Sequence, residues 1–225
     1  MKINRTIKLI CEIGVINTLR FNFHYLPFRK ACKFPILVSR HVRIKSLRGN
    51  IVLYENYFKS ITIGFDSVSV FDNRKARSIW DVAPKASVIF NGKAKLGNGV
   101  KINVTEGGKL IVGKSVVITA NSTIICTNNI EIGDNSLLSW DILIMDSDLH
   151  KIYNQENQWI NEPEKILIGD KVWIGCRCTI LKGSKIPSRC VIAAGTLVSK
   201  ITTIPSCIYG GSPLRILKKD IHWSI

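Results

Sequence analysis

Histidine is scarce in this chain, with four in 225 residues, and none of its seven cysteines forms a C-x-x-C pair. Cys176 and Cys178 stand two apart with no histidine nearby, which is the wrong spacing for a structural zinc site. No metal is therefore expected, and the cysteines read as small, reduced residues. No apolar run approaches the roughly 18 residues that a membrane-spanning helix needs. The nearest, from Ile7 to Leu19, is interrupted by Lys8, Glu12 and Asn17 and lacks a small-residue cleavage site. Neither a span nor a signal peptide is expected, and the reading is a cytoplasmic protein. Zinc-finger spacing, an RNP-like stretch and a basic heptad helix are all absent, so nucleic acid is not an expected partner.

Acidic residues are few at the front. Residues 1–80 hold 15 Lys/Arg against 4 Asp/Glu, and residues 81–225 hold 17 against 12. A basic first third points to an anionic partner, either a membrane surface or a phosphorylated substrate, or else to a solvated, solubilising face.

What the sequence does have is a repeat. From Ile168 it runs IGDKVW, IGCRCT, ILKGSK, IPSRCV, IAAGTL, VSKITT, IPSCIY, with an aliphatic residue at 168, 174, 180, 186, 192, 198 and 204. Four residues after each comes Val172, Cys178, Ser184, Cys190, Thr196, Thr202 and Ile208, mostly small or β-branched. A strand repeats at two and a helix at 3.6, and neither explains recurrence at six. Six residues make one short strand and a corner, and three such units close a triangular coil. The aliphatic residue then fills the interior, and each coil stacks on the next. Weaker stretches precede it: Val112, Ile118, Ile124 and Ile130, then Ile132, Leu138 and Ile144, and upstream Val82 with Val88 and Leu96 with Ile102.

The expected fold is all-β, a left-handed parallel β-helix over 81–209. Residues 1–80 form a basic capping region with strand-like runs at Ile51–Tyr54, Ile61–Ile63 and Val68–Phe71. Residues 210–225 form a tail with a short closing helix over Leu214–Ile221. Between Ile144 and Ile168 the phase is kept, but the interior positions become His150, Glu156 and Glu162. Burying unpaired carboxylates costs too much, so residues 147–165 must leave the coil as a protruding loop. Long loops on rigid scaffolds are where function is usually found.

That loop opens with Met145-Asp146-Ser147-Asp148-Leu149-His150, and in an extended segment Asp146, Asp148 and His150 share a side. Acyl transfer to an alcohol needs a base near neutrality, which suits His150, and a carboxylate can fix its tautomer. A solvent-exposed polar loop is the plainer alternative. Asp146 and Asp148 could also form a metal-binding D-x-D pair of a glycosyltransferase, but the repeat occupies the space that an α/β nucleotide domain requires.

The runs IGDKVWIG from Ile168, IAAGTLVSK from Ile192 and GGSPLRILK from Gly210 resemble the hexapeptide-repeat acetyltransferases. The branch is the maltose, galactoside and polysaccharide O-acetyltransferases, and SWDILIMDSDLH from Ser139 resembles capsule and lipopolysaccharide sugar acetyltransferases. The resemblance implies acetyl-CoA as co-substrate, a sugar hydroxyl as acceptor in capsule or O-antigen synthesis, and a homotrimer with sites between subunits. It implies His150 as general base and Trp173 against the acetyl end. Cys176, Ala194, Ser199 and Lys200 would line the pantetheine path, Arg215 and Lys218 would meet the CoA phosphates, and Asn121 would lie near the acceptor. The alternatives are an interface aromatic for Trp173 and a solvated face for the cations. The family's A-G-N-P tail is Gly210-Gly211-Ser212-Pro213 here, and its T-K-D-I-P is stretched to Ser199–Pro205 without the Asp. A gamma-class carbonic anhydrase would share the coil but needs three histidines, and this solenoid has one. An O-acetyltransferase of a small metabolite such as serine and a non-catalytic binding solenoid are the remaining readings.

Overall fold

The computed structural model describes residues 12–66, 68, 69 and 76–224. Short strands wind into three sheets that form the faces of a triangular coil. The first face runs β1 (Ile36–Val38), β4 (Ile61–Ile63), β7 (Ala94–Asn98), β10 (Val116–Ala120), β13 (Leu137–Trp140), β16 (Trp173–Ile174), β19 (Val191–Ile192), β21 (Ile208–Gly210) and β22 (Arg215–Lys218). The second runs β2 (Val42–Leu47), β5 (Ser78–Val82), β8 (Lys101–Val104), β11 (Thr123–Cys126), β14 (Leu143–Met145), β17 (Thr179–Leu181) and β20 (Leu197–Val198). The third runs β3 (Asn50–Leu53), β6 (Ser87–Phe90), β9 (Lys109–Val112), β12 (Asn129–Ile132), β15 (Ile166–Ile168) and β18 (Lys185–Ile186). Each strand pairs in parallel with the strand three places on, except at the end of the first face, where β21 pairs in parallel with β19 and antiparallel with β22.

The hexad explains the core. Ile174, Ile180, Ile192 and Val198 are fully buried, and Val172, Cys178, Ser184 and Cys190 fill the narrow corners beside them. Like sits on like down the stack: Ile144 pairs with Ile180, Ile130 with Ile166, and Ile168 with Ile186. Tight coils advance 18 residues, as from Thr179 to Leu197, whereas the middle coils advance 20 to 22, as from Thr123 to Leu143 or back to Lys101, and the first steps 25 to 37, as from Ile36 to Ile61 or Asn50 to Ser87. Longer corners explain why the period was faint there.

Three expectations change. The ladders begin at Ile36 rather than near residue 82, so β1–β4 are coil and only the segment before them caps it. Ile51–Tyr54 and Ile61–Ile63 fall on β3 and β4, whereas the Val68–Phe71 run lies partly outside the described residues. The seventh hexad slips: Ile204 is exposed, and Ile192 is covered by Tyr209, 17 residues on. Pro205 lacks an N–H, and the Tyr209 hydroxyl fills the gap, accepting from the Ile204 N–H at 3.1 Å and donating to its carbonyl at 2.8 Å. Finally, Arg215–Lys218 is a strand, not a helix. Eight residues are too few to hold a helix alone, and the open edge of β21 offers hydrogen bonds instead.

The other end is closed by α1 (Val15–Tyr25) and the turn α2 (Phe28–Ala31). The outward edge of β1 needs partners, and α1 supplies them from side chains. Thr18 Oγ1 both accepts from the Val38 N–H and donates to its carbonyl, while the Asn22 amide does the same for Ile36. Phe21 then plugs the first coil, its ring 5.2 Å from that of Trp80.

Candidate active site

Beyond β5 the strand ladder has one long break, after Met145. Ile130 pairs with Ile166 and Leu143 with Thr179, each separated by 36 residues, so the insertion is one 18-residue coil's worth. The phase survives because 18 is a multiple of six. The loop leaves the corner between the second and third faces.

Its root is latched by Asp146. That side chain is fully buried, and its two oxygens accept the backbone N–H groups of Thr127 at 2.7 Å and Asn128 at 2.9 Å, in the corner of the preceding coil. Its carbonyl accepts the Glu164 N–H at 3.0 Å, so one residue ties the departing strand to the returning one. Burial pushes the neighbouring Cys126 thiol far above its ordinary range, and the negative charge on Asp146 adds to the shift.

Beyond the root the loop folds back on itself through a Tyr153–Trp159 bridge, with Lys151 4.5 Å above the Trp159 ring. Asn161 organises it. Its Oδ1 accepts from the Ile152 N–H and from Trp159 Nε1, both at 2.7 Å, and its Nδ2 donates to Asp148 at 2.9 Å and to the His150 carbonyl at 2.8 Å. Lys182, one coil on, donates to Asp148 at 2.7 Å. That ammonium, followed by the Asn161 amide, holds the Asp148 carboxyl below the usual carboxylate range.

The shared side expected for Asp146, Asp148 and His150 is thus not what the structure forms. Asp146 serves backbone amides, Asp148 serves Lys182 and Asn161, and no carboxylate among the described residues is hydrogen-bonded to the exposed His150 ring. The reason is local: a buried corner with two unpaired N–H groups is a stronger claim on a carboxylate than an imidazole in water. Sequence reading missed Asn161 and Lys182. Lys182 was within reach, since Met145 pairs with Leu181 and the next residues therefore share a corner.

The other expected residues occupy different corners. Ser199 and Lys200 lie exposed on the same corner as the loop, two coils further on in register. Cys176 and Ala194 stack on the corner between the first and second faces, where a Cβ at Gly175 would stand 2.7 Å from the Ala194 backbone nitrogen. Asn121 lies on that same corner, but its amide is engaged at both ends, accepting from Lys101 at 2.9 Å and donating to Asp141 at 2.7 Å. It is a corner brace, in a left-handed conformation with φ 45°.

Trp173 lies on the first face, part-exposed, its Nε1 donating to Ser139 Oγ at 3.1 Å and its ring 6.1 Å from Trp223. Arg215 and Lys218 extend that face on β22. Gly210 opposes Arg215 and Ile208 opposes Lys218, the register skipping Leu217, so the bulge turns both exposed cations to one side. Among the described residues no hydrogen bond or ring contact joins His150 to Trp173 or β22.

A triangular coil of parallel strands with stacked aliphatic columns is the left-handed β-helix of hexapeptide-repeat proteins. No family model matches the chain. Over 213 residues, 94% of its length, it is 28% identical to an uncharacterized 24.8 kDa protein in cps region of Klebsiella pneumoniae, covering 90% of that protein. Over 126 residues, 55% of its length, it is 32% identical to a polysialic acid O-acetyltransferase of Escherichia coli, of which it spans 40%. Among solved structures, the polysialic-acid-specific acetyltransferase NeuO matches with a TM-score of 0.58 at 22% identity, over 83% of this chain and 90% of that one, a likeness of fold. A hexapeptide-repeat acetyltransferase of Vibrio cholerae complexed with acetyl coenzyme A matches at 25% identity and TM-score 0.50, over 59% and 70%. The repeat also matches a gamma carbonic anhydrase of Arabidopsis thaliana, 32% identical over 142 residues, 61% of this chain and 48% of that one, so the coil alone does not define the chemistry. In repeat, fold and relatives the chain is similar to the hexapeptide-repeat acyltransferases.

Proposed function

We propose that the protein moves an acetyl group from acetyl-CoA to a hydroxyl of a sugar, in the synthesis of a surface polysaccharide such as capsule or O-antigen. The observation that carries this reading is His150. It is the one histidine between Val82 and Gly210, and it sits on the 147–165 loop that leaves the coil. Its backbone is gripped by Asn161 while its ring faces solvent. A ring with no partner is one that can meet an acceptor hydroxyl.

In this reaction His150 takes the hydroxyl proton as oxygen attacks the thioester carbonyl. The C–O bond forms, the C–S bond breaks, and the proton passes from the imidazolium to the departing thiolate. The pantetheine arm runs past the small residues Cys176 and Ala194 or along the Ser199–Lys200 corner, and the Arg215 and Lys218 cations meet the phosphates. Trp173 and Trp223 form the apolar wall at the first face. Because His150 and this wall leave different corners, the site is completed by a second copy in a cytoplasmic homotrimer. The exposed Leu149, Ile152, Tyr153 and Ile160 on the loop supply apolar surface for such a contact. A carbonic anhydrase reading would require three histidines, and the coil from Ile36 to Gly210 has two, His41 and His150.

The test is release of CoA thiol from acetyl-CoA across a panel of sugar acceptors. His150→Ala is expected to lower turnover by about 10² to 10⁴-fold with unchanged melting. Near-wild-type turnover in that variant overturns the assignment.

A further inference from the structure

Helix α1 carries two apolar faces. One, with Thr18, Phe21 and Asn22 buried, packs on the first coil. At 100° per residue, Val15, Leu19, Phe23 and Ile16 span the adjoining arc, and they are exposed by 64, 42, 42 and 74%. Phe28, 74% exposed, extends this arc, its ring 5.8 Å from that of Phe23. The cap of a solenoid ordinarily turns a polar face outward, and here it is apolar.

The charge around it is of one sign. From Ile13 to Tyr54 the chain has eight Lys or Arg and no Asp or Glu. Among the described residues only Lys45 of these eight has an acidic partner, Asp81 at 3.9 Å. Arg20, Arg29, Lys30 and Lys33 lie on the capping segment itself.

We propose that this cap is a membrane-docking surface that lays α1 and Phe28 into the headgroup region of an anionic bilayer. An apolar arc flanked by unpaired cations is the arrangement that binds such interfaces. A second copy of the chain fits poorly, because the two caps would set Arg20, Arg29, Lys30 and Lys33 against the same four cations. This inference stands independently of the acyl-transfer reading. It also sets a height: the loop root at β14 is four strand steps from β2, roughly 20 Å along the coil at about 4.8 Å per step. An acceptor anchored in that bilayer would have to extend about that far.

The experiment is cosedimentation of the full-length protein with vesicles of phosphatidylcholine, alone or mixed with phosphatidylglycerol. Binding is expected only to the phosphatidylglycerol vesicles and is released by raised salt. Ile16→Ser/Phe28→Ser and Arg29→Gln/Lys30→Gln/Lys33→Gln are each expected to weaken partitioning by about tenfold or more. Both variants should melt as the parent does, which separates lost binding from lost folding. Failure of the parent to bind, or unchanged partitioning in both variants, overturns the proposal. A smaller particle in sedimentation velocity for Ile16→Ser/Phe28→Ser, without vesicle binding by the parent, assigns the patch to a second copy and also overturns it.

Discussion

Replacing Asp146 by alanine separates two roles that the sequence alone confounds. If Asp146 oriented His150, the substitution would cut turnover and leave stability almost untouched. The structure instead gives its carboxylate two backbone N–H groups, at 2.7 and 2.9 Å, in a buried corner. Hydrogen bonds to a charged acceptor contribute roughly 1.5 to 3 kcal/mol each, and the low end applies because the Asn128 amide is near solvent. Asp146→Ala should therefore destabilise by about 3–4 kcal/mol, which for a chain of this size is a melting shift of about 6–16 °C. Asp146→Asn keeps one acceptor oxygen and should fall between parent and alanine. Circular dichroism melts and urea titrations measure this directly. An Asp146→Ala protein that melts with the parent but loses turnover, its pH profile displaced, would refute the latch and restore the carboxylate to His150.

Asn161→Ala removes four hydrogen bonds from the loop and should lower kcat by about tenfold or more while leaving the pH profile in place, the mark of a positioning residue rather than a proton carrier. Asp148 has its carboxyl held low by Lys182 and Asn161, so its contribution is present above the ordinary carboxylate range and lost as pH falls through the depressed value. Hydrogen exchange in 147–165 should accelerate below about pH 4, and in Lys182→Gln the acceleration should begin at higher pH. Burial and the Asp146 charge keep the Cys126 thiol protonated, so a thiol reagent should modify exposed Cys32 in the native protein and reach Cys126 only after unfolding. Trp173→Ala should raise the Kd for acetyl-CoA, read by thermal shift, with little change in the melt of the free protein.

The coil was legible because its physics is periodic. An interior that admits one aliphatic and one small residue per side writes itself into the sequence every six positions, and Ile168 through Val198 obey it. What escaped was aperiodic. Upstream corners of varying length blurred the register, so the coil's start at Ile36 was hidden, and a helix satisfied the β1 edge through Thr18 and Asn22, residues that look unremarkable in a row of letters. The tail went wrong because an isolated stretch shows its own propensity and not the edge it will meet.

The loop carries the same lesson in reverse. Its position followed from charge at 150, 156 and 162, since no buried column accepts carboxylates unpaired. Its internal order did not, because which oxygen meets which amide depends on what the preceding coil leaves unsatisfied. Thr127 and Asn128 claimed Asp146, Lys182 claimed Asp148, and the histidine between coil and loop kept its ring open. A carboxylate near a histidine in sequence is therefore weak evidence for a catalytic pair when a corner of unpaired N–H groups lies one coil away. The accounting of backbone donors has to come first, and here it leaves His150 as the group whose chemistry the fold does not already use.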